Sequence, residues 1–270
     1  MLMKFWGALL SFTLLLAGCS TNNVTTDNSI GEYFKKAGVE GCFAVMNNAN
    51  GEFTMYNLTR YRDSSYLPAS TFDIVNALVG LQTGKIVNDS MVIKWDGIDR
   101  GRSECNEDMS MYKAFRLSCP SWFQEAARRI GKDTMKRWVD SLSYGTKKIN
   151  KLDTFWFDNS LKIKPDEELG LVKKLYFNQL PFFKLNQEIV KKAMLFENNT
   201  NYHLSYSTGW GVKENGSQLA WVVGWIEENN HPYFFVMNFE TPNAKADIPT
   251  LRMTLLKDIL GHLGFLQGKK

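Results

Sequence analysis

Little in this chain of 270 residues is present in excess. Lysine and arginine (32) almost balance aspartate and glutamate (28), and the net charge of +4 comes with no long basic run, so nothing argues for nucleic acid. Histidine is scarce. His203, His231 and His262 share no close metal-ligand spacing, so neither a metal nor a cofactor is expected. Cysteine is scarce too: beyond Cys19 there are Cys42, Cys105 and Cys119, an odd number that allows one internal pair at most. A Cys105–Cys119 bridge and three separate thiols both fit the sequence. There are no repeats and no low-complexity block. The longest apolar stretch falls short of the roughly 20 residues that a bilayer span needs.

That stretch stands at the N-terminus. Met1-Leu2-Met3-Lys4 leads into apolar residues 5–17 and then Leu16-Ala17-Gly18-Cys19. A basic start, a short apolar run and small residues at a boundary mark an export signal over residues 1–18. Leu-Ala-Gly-Cys resembles the bacterial lipobox. It implies cleavage before Cys19, lipid on its sulfur, and a protein anchored in the cell envelope on the periplasmic or outer face. The alternative is an ordinary signal peptide with an incidental cysteine. Residues 20–28 have almost nothing to bury and read as a flexible tether within a linker spanning 19–30.

The remaining 240 or so residues can build one large domain or two interleaved ones. Cys42-Phe43-Ala44-Val45-Met46, the turn-rich Asn47 to Gly51, and Phe53-Thr54-Met55-Tyr56 read as a hairpin. Apolar residues at helical spacing follow over 72–82, 123–130 and 134–142. Lys164-Pro165-Asp166-Glu167-Glu168 starts another helix, with proline in the first turn and acids suited to the positive end of the dipole. Residues 202–208, 219–227 and 233–240 are rich in β-branched and aromatic side chains, with turns at Asn215-Gly216 and Asn229-Asn230. A closing helix runs over 249–265. Strands at both ends with helices between predict an α+β domain: an antiparallel sheet built from both termini, with a helical subdomain inserted at about 69–195.

Pro68-Ala69-Ser70-Thr71-Phe72 puts a serine where a helix begins, a position that favours developing negative charge. This run, with Ile74, Asn76, Ala77 and Leu78, is similar to the nucleophile segment of the class D (oxacillinase-type) serine β-lactamases. The likeness continues in order. It includes Lys94-Trp95-Asp96-Gly97, Asn106-x-Asp108-Met109-Ser110 followed by Ser118, Tyr144-Gly145, Phe155-Trp156, Thr208-Gly209-Trp210, Val223-Gly224-Trp225 and Leu251-Arg252. It spans roughly residues 40–262 and implies a β-lactamase/transpeptidase-like domain over about 31–265. It also implies roles. Ser70 would attack the lactam carbonyl, and the backbone N–H groups of Ser70 and Trp210 would form the oxyanion hole. Ser118 would relay a proton to the leaving nitrogen. Ser207, Thr208, Gly209 and Arg252 would line the site for the substrate carboxylate, which suits a guanidinium fork. Trp156 would support the base from behind. The implied ligand is a β-lactam or a peptidoglycan-stem-like molecule.

The departures from the family pattern are as informative. The family's Ser-x-x-Lys lysine carries a CO₂-derived carbamate as general base, and here that position is Asp73. An i, i+3 pair shares a helix face, so Asp73 can approach Ser70, but its stem is shorter by about 4–5 Å. An unperturbed aspartate, with a pKa of about 4, is a poor base unless desolvation raises it. Lys-Thr-Gly has become Ser207-Thr208-Gly209, Ser-x-Val is Ser118-Cys119-Pro120, Tyr-Gly-Asn is Tyr144-Gly145-Thr146, and Cys105 replaces a tryptophan. Efficient β-lactam turnover is therefore not expected. Three readings follow: a protein acylated at Ser70 that deacylates poorly, a hydrolase in which Asp73 acts through water, or a non-catalytic envelope protein that binds peptidoglycan or a partner.

Overall fold

The computed structural model describes residues 23–270, so the export signal and Cys19 lie outside the described residues. The chain starts with strand β1 (Val24–Thr26), helix α1 (Ile30–Lys36), the hairpin β2 (Glu40–Asn47) and β3 (Phe53–Tyr56), and helix α2 (Leu58–Asp63). A 3₁₀ turn, Ala69–Phe72, runs straight into α3 (Asp73–Gln82). The helical part continues with the short ribbon β4 (Val92–Ile93) and β5 (Met109–Ser110), then α4 (Met111–Leu117), α5 (Pro120–Ile130), α6 (Lys132–Ser141), α7 (Pro165–Tyr176) and α8 (Lys184–Met194). The chain closes with β6 (Leu195–Asn198), β7 (His203–Val212), β8 (Gln218–Glu228), β9 (His231–Thr241) and α9 (Ile248–His262).

The main sheet runs β1-β3-β2-β9-β8-β7-β6, so strands from both ends of the chain meet where β2 pairs antiparallel with β9. Period-two alternation sorts each central strand into two cores. Trp221, Val223 and Trp225 of β8 and Phe234 and Val236 of β9 face the helical subdomain. Ala220, Val222 and Ile226, with Phe235, Met237 and Phe239, face α1 and α9. Burial on both faces explains why these strands read as nearly continuous apolar runs. The β8–β9 turn has Asn229 and Asn230 both at positive φ (51° and 61°), the geometry whose twist matches a tight hairpin.

One expectation is overturned. Val24–Thr26 were read as tether, yet they form an edge strand parallel to Phe53–Met55, and Ile30 directly after them is fully buried. Composition missed this because a three-residue edge strand is stabilised by the backbone it pairs with, not by its own side chains.

The cysteine question is resolved as well. Cys105 and Cys119 form a disulfide, and Cys42 is a free, buried thiol whose pKa burial pushes up to about 12. The bridge closes a loop of sequence separation 14, which stabilises the fold by about 3 kcal/mol on chain-entropy grounds.

Candidate active site

Ser70 sits in the 3₁₀ turn, which several contacts lock against β7 and the subdomain. The backbone N–H of Ala69 donates to the Trp156 carbonyl at 2.9 Å, and the Trp221 indole donates to the Leu67 carbonyl at 2.9 Å. Gly209 on β7 must be glycine: a Cβ there would lie 2.7 Å from the Pro68 carbonyl oxygen. The turn is strained where it delivers the serine, since Ala69 adopts φ +50°, a left-handed conformation that costs a non-glycine residue free energy. Ser70 is buried, 4% exposed. β6 pairs with β7 only as far as Ser205, so from Tyr206 onward β7 presents an open edge to the turn.

Ser118, at the C-terminal end of α4, is the second serine. It too is left-handed (φ 50°, ψ 55°), and its hydroxyl lies 3.2 Å from the Thr208 hydroxyl across the cleft. Arg252 comes from α9, and its Nη1 lies 3.5 Å from the Gly209 carbonyl, a long contact. The Nε of Arg252 has no partner, and among the described residues the side chain forms no ion pair. Burial, reinforced by repulsion from Arg102, lowers its pKa to about 10. The expected cleft residues Ser70, Ser118, Thr208, Gly209 and Arg252 are thus brought together. Ser207 is buried too, and its register partner Val223 faces the helical subdomain. The Trp210 indole is partly exposed and tied to Gln218 at 2.8 Å, so only its backbone is a candidate donor to an oxyanion.

Asp73 is the first residue of α3 and is 2% exposed. Neither carboxyl oxygen has a hydrogen-bond partner, and the buried Trp156 indole N–H is also unpartnered. A carboxylate so isolated is disfavoured. Burial raises the pKa of Asp73 well above the usual carboxylate value, while the Ser70 hydroxyl, near but outside hydrogen-bonding geometry, and the Arg102 guanidinium pull the other way and lose. Burial thus favours the protonated form of Asp73, the form that cannot accept a serine proton.

Two features escaped the sequence reading. Arg102, in the loop bearing Cys105, donates to the Ser118 and Leu117 carbonyls, each at 2.8 Å. Loop sequence carries no periodic signal that would have pointed to it. Glu168 was read only as an acid at a helix start, suited to the dipole, and it is also fully buried. The available signal was its spacing, because Glu168 shares the inward stripe of α7 with Pro165, Val172 and Leu175. Its Oε1 lies 2.7 Å from both the Thr71 and Tyr144 hydroxyls, beside the nucleophile turn. Thr71 has one proton and also contacts the Pro68 carbonyl at 2.8 Å. If that proton goes to Pro68, the contact with Glu168 requires a proton from the acid. A protonated Glu168 satisfies this count, in agreement with burial raising its pKa from 4.5 to about 7.

Comparison with known proteins identifies the family and the fold. The penicillin binding protein transpeptidase domain family matches residues 41–261. β-Lactamase OXA-19 of Pseudomonas aeruginosa is 33% identical over 269 residues, 98% of this chain and 100% of the relative. The class D β-lactamase YbXI from Nostoc superposes with a TM-score of 0.82 at 33% identity, over 88% of this chain and 99% of that one. The C-terminal domain of the Bacillus licheniformis BlaR penicillin-receptor does so with a TM-score of 0.83 at 29% identity, over 89% and 96% of the two chains.

The buried Glu168 predicts a pH signature. Its folded pKa is raised, so the native state binds more protons than the unfolded state between pH 4.5 and about 7. The stabilisation it gives is complete below that window and is lost as pH rises through it, a change of about 3 kcal/mol. Urea unfolding across the window should show Glu168→Gln gaining on the native protein by about that amount. Parallel stability curves would contradict the assignment.

Proposed function

Because the chain belongs to the class D β-lactamase family, we propose that it is a penicillin-binding member whose Ser70 is acylated by a β-lactam and that releases the acyl group slowly or not at all. The observation that carries this reading is Asp73: buried, unpartnered and with its pKa raised by burial, in the position where the family places a lysine-borne base. The lysine of the Lys-Thr-Gly element is replaced as well, by Ser207.

In the proposed reaction the Ser70 oxygen bonds to the lactam carbonyl carbon and the carbon–nitrogen bond breaks. The serine proton has to reach the departing nitrogen. Ser118, hydrogen-bonded to Thr208, is the relay on that side of the cleft. Strain in the four-membered ring assists this first step. The second step has no such help, because a water molecule must be deprotonated to attack an unstrained ester. Losing a general base costs roughly 10²–10⁴-fold in each step it serves. The acyl-protein therefore accumulates. The likeness to a domain described as a penicillin-receptor supports a protein that holds its ligand. The raised pKa of Asp73 gives acylation a distinctive pH dependence: it quickens as alkali ionises the acid.

We further propose that the protein is exported and held at the membrane by lipid on Cys19, on the strength of Leu16-Ala17-Gly18-Cys19. A Cys19→Ser protein should lose incorporation of labelled fatty acid and leave the membrane fraction, whereas unchanged incorporation would sink the proposal.

A fluorescent penicillin tests the function. It should give a persistent adduct on Ser70, absent from Ser70→Ala and forming faster at alkaline pH, with negligible turnover of a chromogenic cephalosporin. Brisk cephalosporin turnover would mean that Asp73 works as a base through water. No adduct at any pH would leave only a non-covalent binding protein.

A further inference from the structure

The cleft holds a cation that no motif announces. Arg102 lies between the Ser103–Cys105 turn and the second serine, and its guanidinium closes over the end of α4. Nε donates to Glu104 Oε1 at 2.9 Å, Nη2 to the Leu117 carbonyl at 2.8 Å, and Nη1 to the Ser118 carbonyl at 2.8 Å. A guanidinium has five N–H groups. Three make hydrogen bonds, Nη2 also lies 2.8 Å from Glu104 Oε1 as an ion pair, and one N–H on Nη1, beside Ser118, makes no hydrogen bond. The Cys105–Cys119 disulfide ties the same two segments together, so Arg102 is held at the backbone of Ser118 from both ends of the loop.

Ser118 in turn reaches Thr208, and Thr208 precedes Gly209, whose carbonyl is the long contact of Arg252. Two guanidinium groups thus flank one hydroxyl pair. Arg252 is without an acidic partner among the described residues, and its pKa falls in part through repulsion by Arg102. Glu104 offsets part of the Arg102 charge, but its side chain is about half exposed, so the offset is screened. Two like charges directed at one cleft raise the free energy of the empty site, and an anion between them relieves it. Ser207 leaves β7 with no cation of its own at this point.

We propose that Arg102 is a specificity-determining residue: together with Arg252 it recognises the carboxylate of the ligand, supplying from the helical side of the cleft the positive charge that Ser207 does not supply from the sheet. The same clamp on the Leu117 and Ser118 carbonyls fixes the left-handed conformation that aims the Ser118 hydroxyl at Thr208. This inference rests on the reading of the site as a β-lactam cleft, and its ligand is a molecule carrying a carboxylate next to the acylating carbonyl group.

Equilibrium binding to the full chain carrying Ser70→Ala separates the two ideas, because no acyl transfer is needed. The probes are benzylpenicillin and its methyl ester, titrated by ligand-observed NMR. The acid should bind at least about tenfold more tightly than the ester, as expected for one added charge-assisted hydrogen bond. Arg102→Gln should weaken the acid by about tenfold and the ester by less than about twofold, and Arg102→Lys should keep part of the preference for the acid. Equal weakening of both probes would reduce Arg102 to a loop clamp and overturn the proposal. So would an unchanged acid-to-ester ratio, or binding of neither probe. Failure of the wild-type chain to form a penicillin adduct would instead count against Ser70 acylation and leave this comparison standing.

Discussion

A carboxyl group enclosed by protein, with no hydrogen-bond partner, is disfavoured as an anion. Ionising it costs hydration that the Ser70 hydroxyl and the Arg102 guanidinium only partly return. Asp73 is in this position, with both oxygens unpartnered at the first residue of the helix that follows the nucleophile. The proposed function depends on that constraint. Ser70 is buried beside the strained Ala69, in a cleft shared with a second serine, a threonine and two arginines. In the proposed reading this cleft lacks a group ready to remove a proton. The Trp156 indole, enclosed and without an acceptor, is the complementary defect on the side of the donors.

The scaffold keeps this cleft in shape at some cost. Ala69 and Ser118 both hold left-handed backbone conformations, and each is fixed by contacts from elsewhere in the chain. Ala69 is held by the Trp156 carbonyl and the close approach of Gly209, and Ser118 by the Arg102 guanidinium and the Cys105–Cys119 bridge. Strain maintained in this way is characteristic of sites that are built rather than incidental. Glu168 adds a second buried acid just behind the Ser70 turn, where its contacts with Thr71 and Tyr144 join α7 to that turn.

Much of the fold could be read in advance. The central strands announce themselves because they are buried on both faces, and α3 does so through its apolar spacing. That Ser70, Ser118, Thr208 and Arg252 share one cleft was legible because motif order fixes register. What escaped depends on contacts distant in sequence. Val24–Thr26 is a strand only because β3 lies beside it. Arg102 belongs to a loop whose side-chain direction no periodicity encodes. The disulfide was one of two readings until the fold brought residues 105 and 119 together. Glu168 was read only as an acid at a helix start, although its spacing with Val172 and Leu175 already placed it inward. Sequence showed Asp73 as a short acid beside the serine; its burial without a hydrogen-bond partner is tertiary.

The protonation state of that acid is directly observable. Infrared spectra at neutral pH, taken in a Glu168→Gln background to remove the other buried acid, should contain the carbonyl stretch of a neutral, non-hydrogen-bonded carboxylic acid that disappears on Asp73→Asn substitution. Loss of an ionised-carboxylate band instead, with no acid carbonyl in the parent spectrum, would show that residue 73 carries a negative charge and would contradict the account.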